Sequence, residues 1–184
     1  MSTFFSGSQW CQILGAFFLC HSVFLLTKPA LAARCMKAFP RHVWAGRVLS
    51  AVAWVWTGVA VYQMNLDLLI PILKYLPVIV AVCIGLSWVW MKELLASRAL
   101  AGIFMLLPMP LILAVRADAS LWRLVPVTVG YILLTLGMDV MLYPWHHRNA
   151  LTWASASESR LRLIAAIPLS LSILFFIAST RLSA

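Results

Sequence analysis

Acidic residues are scarce in this sequence: five of its 184 residues are Asp or Glu, and charged residues of both signs make up 10%. Soluble domains carry about 25% charged residues, because a surface that faces water needs polar cover. A chain of this length that is 64% hydrophobic cannot hide so much apolar surface from water. The composition therefore excludes an ordinary soluble domain and indicates that lipid is the main solvent.

Motifs that carry catalysis are also missing. The sequence contains no P-loop, no G-x-S-x-G nucleophile elbow and no paired acids, and its five acids leave few groups for general acid–base work. The four cysteines show neither C-x-x-C nor zinc-ligand spacing, so we expect buried, reduced thiols. We therefore predict a chain that is not an enzyme and that has no metal site.

Long, continuous apolar runs are what the sequence has in abundance. In lipid the backbone must satisfy its own polar groups, and runs that do not alternate favour helices over a closed barrel. Each run is close to the roughly 20 residues that cross about 30 Å of hydrocarbon. We predict an all-α polytopic membrane protein, a single domain over residues 1–184 with short loops between six transmembrane helices. The predicted spans are about 10–27, 43–64, 68–91, 95–115, 122–143 and 162–180.

Basic residues are distributed unequally between the two sides of these spans. One side has the ten residues Lys28, Arg34, Lys37, Arg41, Arg47, Lys92, Arg98, Arg148, Arg160 and Arg162, and the other has Lys74, Arg116, Arg123 and Arg181. The positive-inside rule places the richer side in the cytoplasm and both termini on the outer, periplasmic side. The same rule explains the net charge of +9, so we expect no nucleic-acid partner. Organelle-targeting features are absent, which favours a bacterial inner (plasma) membrane.

Asp139 lies in the stretch LTLGMDVMLYPWHH, residues 134–147, where an acid interrupts an apolar run. An ionisable group within a span is costly and should face protein, water or a partner. Asp139 is therefore a candidate ion or proton site. The alternative is a structural ion pair near the interface, with Arg47 or His42 at similar depth.

Prolines interrupt four of the predicted spans. They are Pro71, Pro77, Pro108, Pro110, Pro126 and Pro168. Broken helices expose carbonyl groups that coordinate ions in transporters, but they also occur as plain kinks. Together with Asp139, these prolines make a small transporter or channel one alternative function.

Two histidines are candidates for cofactor binding. His21, in the first span, and His42, at the start of the second, both fall toward the predicted cytoplasmic side. Imidazoles at matched depth on facing helices could hold a haem. Neither residue belongs to a metal-binding motif, so interfacial and core histidines are the competing interpretation. A haem- or quinone-linked redox subunit is the second alternative, and a pigment would leave no recognisable mark in the sequence.

Small residues line one region of the second span in two pairs four residues apart, Gly46 with Ser50 and Ala53 with Thr57. Such residues let another helix approach closely. Compact helices, short loops, many aromatic side chains and no catalytic set favour a non-catalytic structural or accessory subunit, or an assembly factor, of a larger membrane complex. The expected partners are the lipid bilayer and either other membrane subunits or further copies of this chain.

Overall fold

The structure, a computed structural model, describes residues 5–64, 73–91 and 94–182, and these residues are almost entirely helical with no strand among them. The all-α prediction is confirmed. The helices of the described segments are α1 (Gly7–Thr27), α2 (Pro29–Ala38), α3 (Val43–Gln63), α4 (Leu76–Trp90), α5 (Leu95–Leu106), α6 (Pro108–Val115), α7 (Leu124–Leu142), α8 (Pro144–Ala154) and α9 (Glu158–Arg181). Single 3-10 turns occupy Phe39–Arg41 and Leu121–Arg123.

Five apolar stretches of helix are long enough to cross a membrane, which indicates a multi-pass membrane protein. They are Gly7–Thr27, Val43–Gln63, Leu95–Val115, Leu121–Leu142 and Glu158–Arg181. The third combines α5 and α6, which meet at a break just before Pro108. The predicted span 68–91 is described only from residue 73, and its helix α4 has 15 residues, or about 22 Å of rise.

The first and last helices form the most extensive helix pair of the structure. The buried hydroxyl of Ser22 donates to the carbonyl of Ala165, and that of Ser172 donates to the carbonyl of Gly15, both at 2.9 Å. From Gly15 to Ser22 the numbering rises along α1, whereas their partners fall from Ser172 to Ala165 along α9, so the two helices are antiparallel. The start of α1 and the end of α9 therefore lie at the same end of the bundle.

Reciprocal tryptophan–serine hydrogen bonds join α3 to α4. Trp54 Nε1 in α3 donates to Ser87 Oγ at 2.9 Å, and Trp88 Nε1 in α4 donates to Ser50 Oγ at 3.0 Å. Each serine hydroxyl donates in turn to a carbonyl of its own helix. Both indole N–H groups are satisfied without water, as a tryptophan surrounded by hydrocarbon requires.

Glycines bring α3 and α7 close to α5, which packs between them. A Cβ at Gly137 in α7 would lie 2.9 Å from the carbonyl oxygen of Ala101 and 2.8 Å from Met105 Cγ. A Cβ at Gly46 in α3 would lie 3.0 Å from the backbone nitrogen of Ala96. The backbone of α5 is therefore approached directly by both neighbouring helices.

Two short helices, α2 and α8, cover one end of the bundle. Each begins with a proline. The first N–H groups of a helix have no acceptor within it, so the absence of an N–H in proline breaks no helical hydrogen bond there. The two short helices contact one another, and a small buried cluster joins α2 to α1 and α9. We call this end, which also contains the starts of α3, α5 and α9, the basic end. Among the described residues it holds Lys28, Arg34, Lys37, Arg41, Arg47, Arg98, Arg148, Arg160 and Arg162.

Substitution of Gly137 by Ala tests the close approach of α7 and α5. The added Cβ has no room without separating the helices, so we expect a lower Tm, since overpacking costs about 1–3 kcal/mol. Gly85→Ala is the matched control, because a Cβ at Gly85 meets no atom within 4 Å. Loss of a helical glycine should leave its Tm unchanged or raise it. Thermal melting in detergent micelles measures both, and equal Tm values for the two variants would contradict this packing.

Candidate functional site

Asp139 forms a side-chain hydrogen bond at the basic end, one turn before α7 ends. Its Oδ1 accepts a hydrogen bond from Nδ1 of His146 in α8 at 3.1 Å, and the two side chains are 46% and 52% exposed. A carboxylate oxygen acts as the acceptor, so Nδ1 of the imidazole is the donor in this contact. The partner of Asp139 is thus His146, and neither Arg47 nor His42, the two partners suggested by depth, contacts it in the described part of the chain. α7 ends at Leu142 and α8 begins at Pro144, so the chain changes direction there and brings His146 close to Asp139.

Two aromatic rings pack against His146, the partner of Asp139. The rings of Tyr143, Trp145 and His146 lie with their centroids 5.0 to 5.4 Å apart, and all three side chains are exposed. Rings that are apolar with one polar edge favour the boundary between membrane and water. Asp139 therefore lies beside exposed aromatic rings rather than in the interior of the bundle.

His147, the next residue, turns into the bundle and attaches α8 to α5. Its Nδ1 lies 3.0 Å from the hydroxyl of Ser97, which is fully buried, and its ring meets that of Phe39 at 89°. Burial lowers the pKa of His147 below its ordinary value. A neutral imidazole thus holds the short helix against the bundle.

His21 and His42 have separate environments. His42 is the N-cap residue of α3, where its Nδ1 accepts a hydrogen bond from the backbone N–H of Ala45 at 3.0 Å. His21 is exposed on α1 and stacks on Phe17, with ring centroids 6.4 Å apart. α1 packs mainly against α9, whereas α3 packs against α4 and α5. The structure does not bring these two imidazoles together on facing helices.

The four small residues of α3 have different surroundings. Gly46 and Ala53 face α5. Ser50 accepts the hydrogen bond from Trp88, and the hydroxyl of Thr57 donates to the carbonyl of Ala53 in its own helix at 2.8 Å. Three of the four therefore contact a neighbouring helix.

Most of the described prolines stand in the first turn of a helix. Pro77 opens α4, Pro108 and Pro110 open α6, and Pro126 lies in the first turn of α7. Pro168 is inside α9, which continues past it. Pro71 lies outside the described residues.

A small open pocket lies where the starts of α3 and α5 meet the end of α4. Its volume is about 160 Å³, and its lining includes Arg41, His42, Arg47 and Trp88, with an apolar wall from Leu95 and Ala96. No sequence pattern singled out this pocket, because its lining comes from three separated segments. The sequence does contain a dense run of basic residues before α3, but the positive-inside rule accounts for such a run without any pocket.

No protein-family model, curated protein or solved structure matches this chain. Within residues 5–64, 73–91 and 94–182, no three His, Cys, Asp or Glu side chains are grouped in the way that a metal ion requires. The four cysteines are free thiols, but the expectation that they are buried is correct only for Cys11, because Cys20 and Cys35 are exposed and Cys83 is partly exposed. The function proposed below therefore rests on the geometry of the chain itself.

The neutral state of His147 predicts a pH dependence of stability. Because the pKa is lowered in the folded chain, the unfolded chain binds more protons as the pH falls below about 6.5. The stability that depends on the neutral ring is present above that pH and is lost below it. We expect Tm to fall between about pH 7.5 and about pH 5.5.

Two variants identify the residue responsible. His147→Gln should melt with a shallower pH dependence, because the titrating group is gone. Asn149→Ala changes an exposed neighbour in α8 and should keep the wild-type profile. Identical pH profiles for wild type and His147→Gln would contradict the assignment.

Proposed function

We propose that this chain is a non-catalytic subunit or assembly factor of a larger membrane protein complex, and that the outer side of α1 contacts its partner. The observation that carries the proposal is the position of His21. Its imidazole is exposed on an apolar helix and has no hydrogen-bond partner in the described part of the chain.

The depth of His21 makes its outward position costly. It lies six residues before Thr27, the last residue of α1, which is about 9 Å along the helix. Ionisable and polar groups at membrane depth are expected to face protein or water. A neutral imidazole has one donor and one acceptor, and a polar group on a neighbouring subunit would satisfy them.

Neighbouring side chains extend this feature into a surface. Ile13 and Phe17 precede His21 at four-residue spacing and are 45% and 63% exposed, and Cys20 is exposed beside them. Aromatic side chains are enriched at protein interfaces. We call Ile13, Phe17, Cys20 and His21 the α1 surface.

The proposal includes six crossings of a bacterial inner membrane by one integral domain, with both termini periplasmic. The antiparallel pairing of α1 and α9 supports an even number of crossings, because an odd number would make the terminal helices parallel. Together with the five long spans, α4 brings the number of crossings to six, and it is antiparallel to α3. Residues 68–72 of its predicted span lie outside the described residues. The concentration of Lys and Arg at the basic end supports a cytoplasmic position for that end.

The two alternative functions receive less support from the geometry. A transporter that works through Asp139 needs this acid on a path through the bundle, whereas Asp139 pairs with half-exposed His146 at the interface. A haem held by His21 and His42 needs both imidazoles on facing helices, whereas His42 caps its own helix.

Replacement of His21 by Leu tests the proposed contact. Loss of one hydrogen bond between membrane helices is worth roughly 0.6 to 1.7 kcal/mol, so we expect partner binding to weaken about 3- to 20-fold. Native gels of mildly solubilised membranes measure the fraction of tagged chain that migrates with a partner. Co-isolation of two differently tagged copies shows whether that partner is this same chain.

Val23→Leu is the control, since Val23 is exposed on α1 outside the α1 surface. It should leave the assembled fraction unchanged. The proposal fails if the wild-type chain migrates alone, or if His21→Leu assembles as completely as wild type over the whole range of chain concentration.

A further inference from the structure

We propose that the pocket between α3, α4 and α5 binds a phosphate group, carried either by an anionic phospholipid headgroup or by a soluble phosphate. The proposal does not rest on the partner contact at the α1 surface. It rests on the charge of the pocket, on the way Arg47 is held, and on the level at which the pocket opens.

The pocket is basic and its charge is not neutralised by the described residues. Arg41 and Arg47 both line it, and neither forms an ion pair within the described part of the chain. A guanidinium offers five N–H donors in a planar fork that matches phosphate oxygens. At about 160 Å³ the pocket is smaller than the roughly 300–1,000 Å³ that hold drug-sized ligands, which favours a single small anionic group.

Arg47 is held in place before any ligand arrives. Its guanidinium carbon lies 5.4 Å from the ring centroid of Trp44 and 5.7 Å from that of Trp88. The ring of Trp88 is fixed in turn by its hydrogen bond to Ser50. A free arginine side chain loses rotamer entropy when it is fixed, so this arrangement lowers the cost of binding an anion.

His42 and the start of α3 add donors beside the arginines. Since Nδ1 of His42 accepts a hydrogen bond from Ala45, the proton of the neutral ring is on Nε2, which is free to donate. Val43, the first residue of α3, also lines the pocket. First-turn N–H groups have no helical partner, and the helix dipole makes this end positive.

The level of the pocket favours the lipid source. It opens at the basic end, where α3 begins and where the exposed rings of Trp44 and Trp90 mark the membrane boundary. Phospholipid headgroups occupy this level, and basic pockets between membrane helices bind anionic ones.

Retention of phosphatidylglycerol tests the proposal. The purified chain is placed in phosphatidylcholine nanodiscs that contain a trace of phosphatidylglycerol, and native mass spectrometry counts the lipids that remain bound. The double variant Arg41→Gln/Arg47→Gln should retain about tenfold less phosphatidylglycerol than wild type, because its two charge-assisted contacts are gone.

Arg34→Gln/Arg148→Gln is the matched control, with the same change of charge at two exposed positions of the basic end. Its retention of phosphatidylglycerol should fall by at most a few-fold. Arg41→Lys/Arg47→Lys keeps the charge and removes the planar fork, so it should give an intermediate loss and remains informative if the glutamine variant fails to fold.

Inorganic phosphate distinguishes the two sources. If the lipid is the ligand, millimolar phosphate leaves phosphatidylglycerol retention unchanged. If a soluble phosphate is the ligand, inorganic phosphate binds wild type and the Arg34/Arg148 control but not the Arg41/Arg47 variant. Equal retention of lipid and equal binding of phosphate by the pocket and control variants would overturn the proposal.

Discussion

Hydrocarbon contains no hydrogen-bonding groups, so each polar side chain inside the bundle needs a partner on a neighbouring helix or within its own turn. Ser22 and Ser172 meet this requirement between α1 and α9, and Trp54 and Trp88 meet it between α3 and α4. These four bonds fix the register of two antiparallel helix pairs. The glycine contact at Gly137 then sets α7 against α5.

Much of the fold could be predicted because long apolar runs report helix length directly. The predicted spans 95–115 and 122–143 differ by no more than one residue at either end from Leu95–Val115 and Leu121–Leu142. Two features of the fold were not predicted from the apolar runs. α1 begins at Gly7 because a capping box at Ser6 extends it through polar residues that hydropathy leaves out. The stretch Pro29–Ala38, expected to be a loop, is helix α2, because it packs on other helices rather than lying in lipid.

The candidate sites were less predictable, since they depend on how separate segments meet. Asp139 was recognisable as a costly acid, but its partner His146 follows from the abrupt start of α8 at Pro144. The His147–Ser97 contact joins residues fifty positions apart in the chain. The basic pocket is lined by three segments, and one of them contributes Trp88, whose ring is hydrogen-bonded to Ser50 of another helix. Charge counts predicted that arginines would collect at this end, and only packing decides which of them share a cavity.

Labelling of single cysteines with a membrane-impermeant maleimide tests the proposed arrangement in the membrane most directly. The background is a chain without its native cysteines, and the probes are Ala38→Cys, Ala156→Cys and Ala119→Cys, all at exposed positions. Positions 38 and 156 lie at the basic end and position 119 lies at the other. In intact cells made permeable only at the outer membrane, we expect position 119 alone to react, with 38 and 156 reacting after lysis. Reaction of positions 38 and 156 from opposite faces would contradict the account.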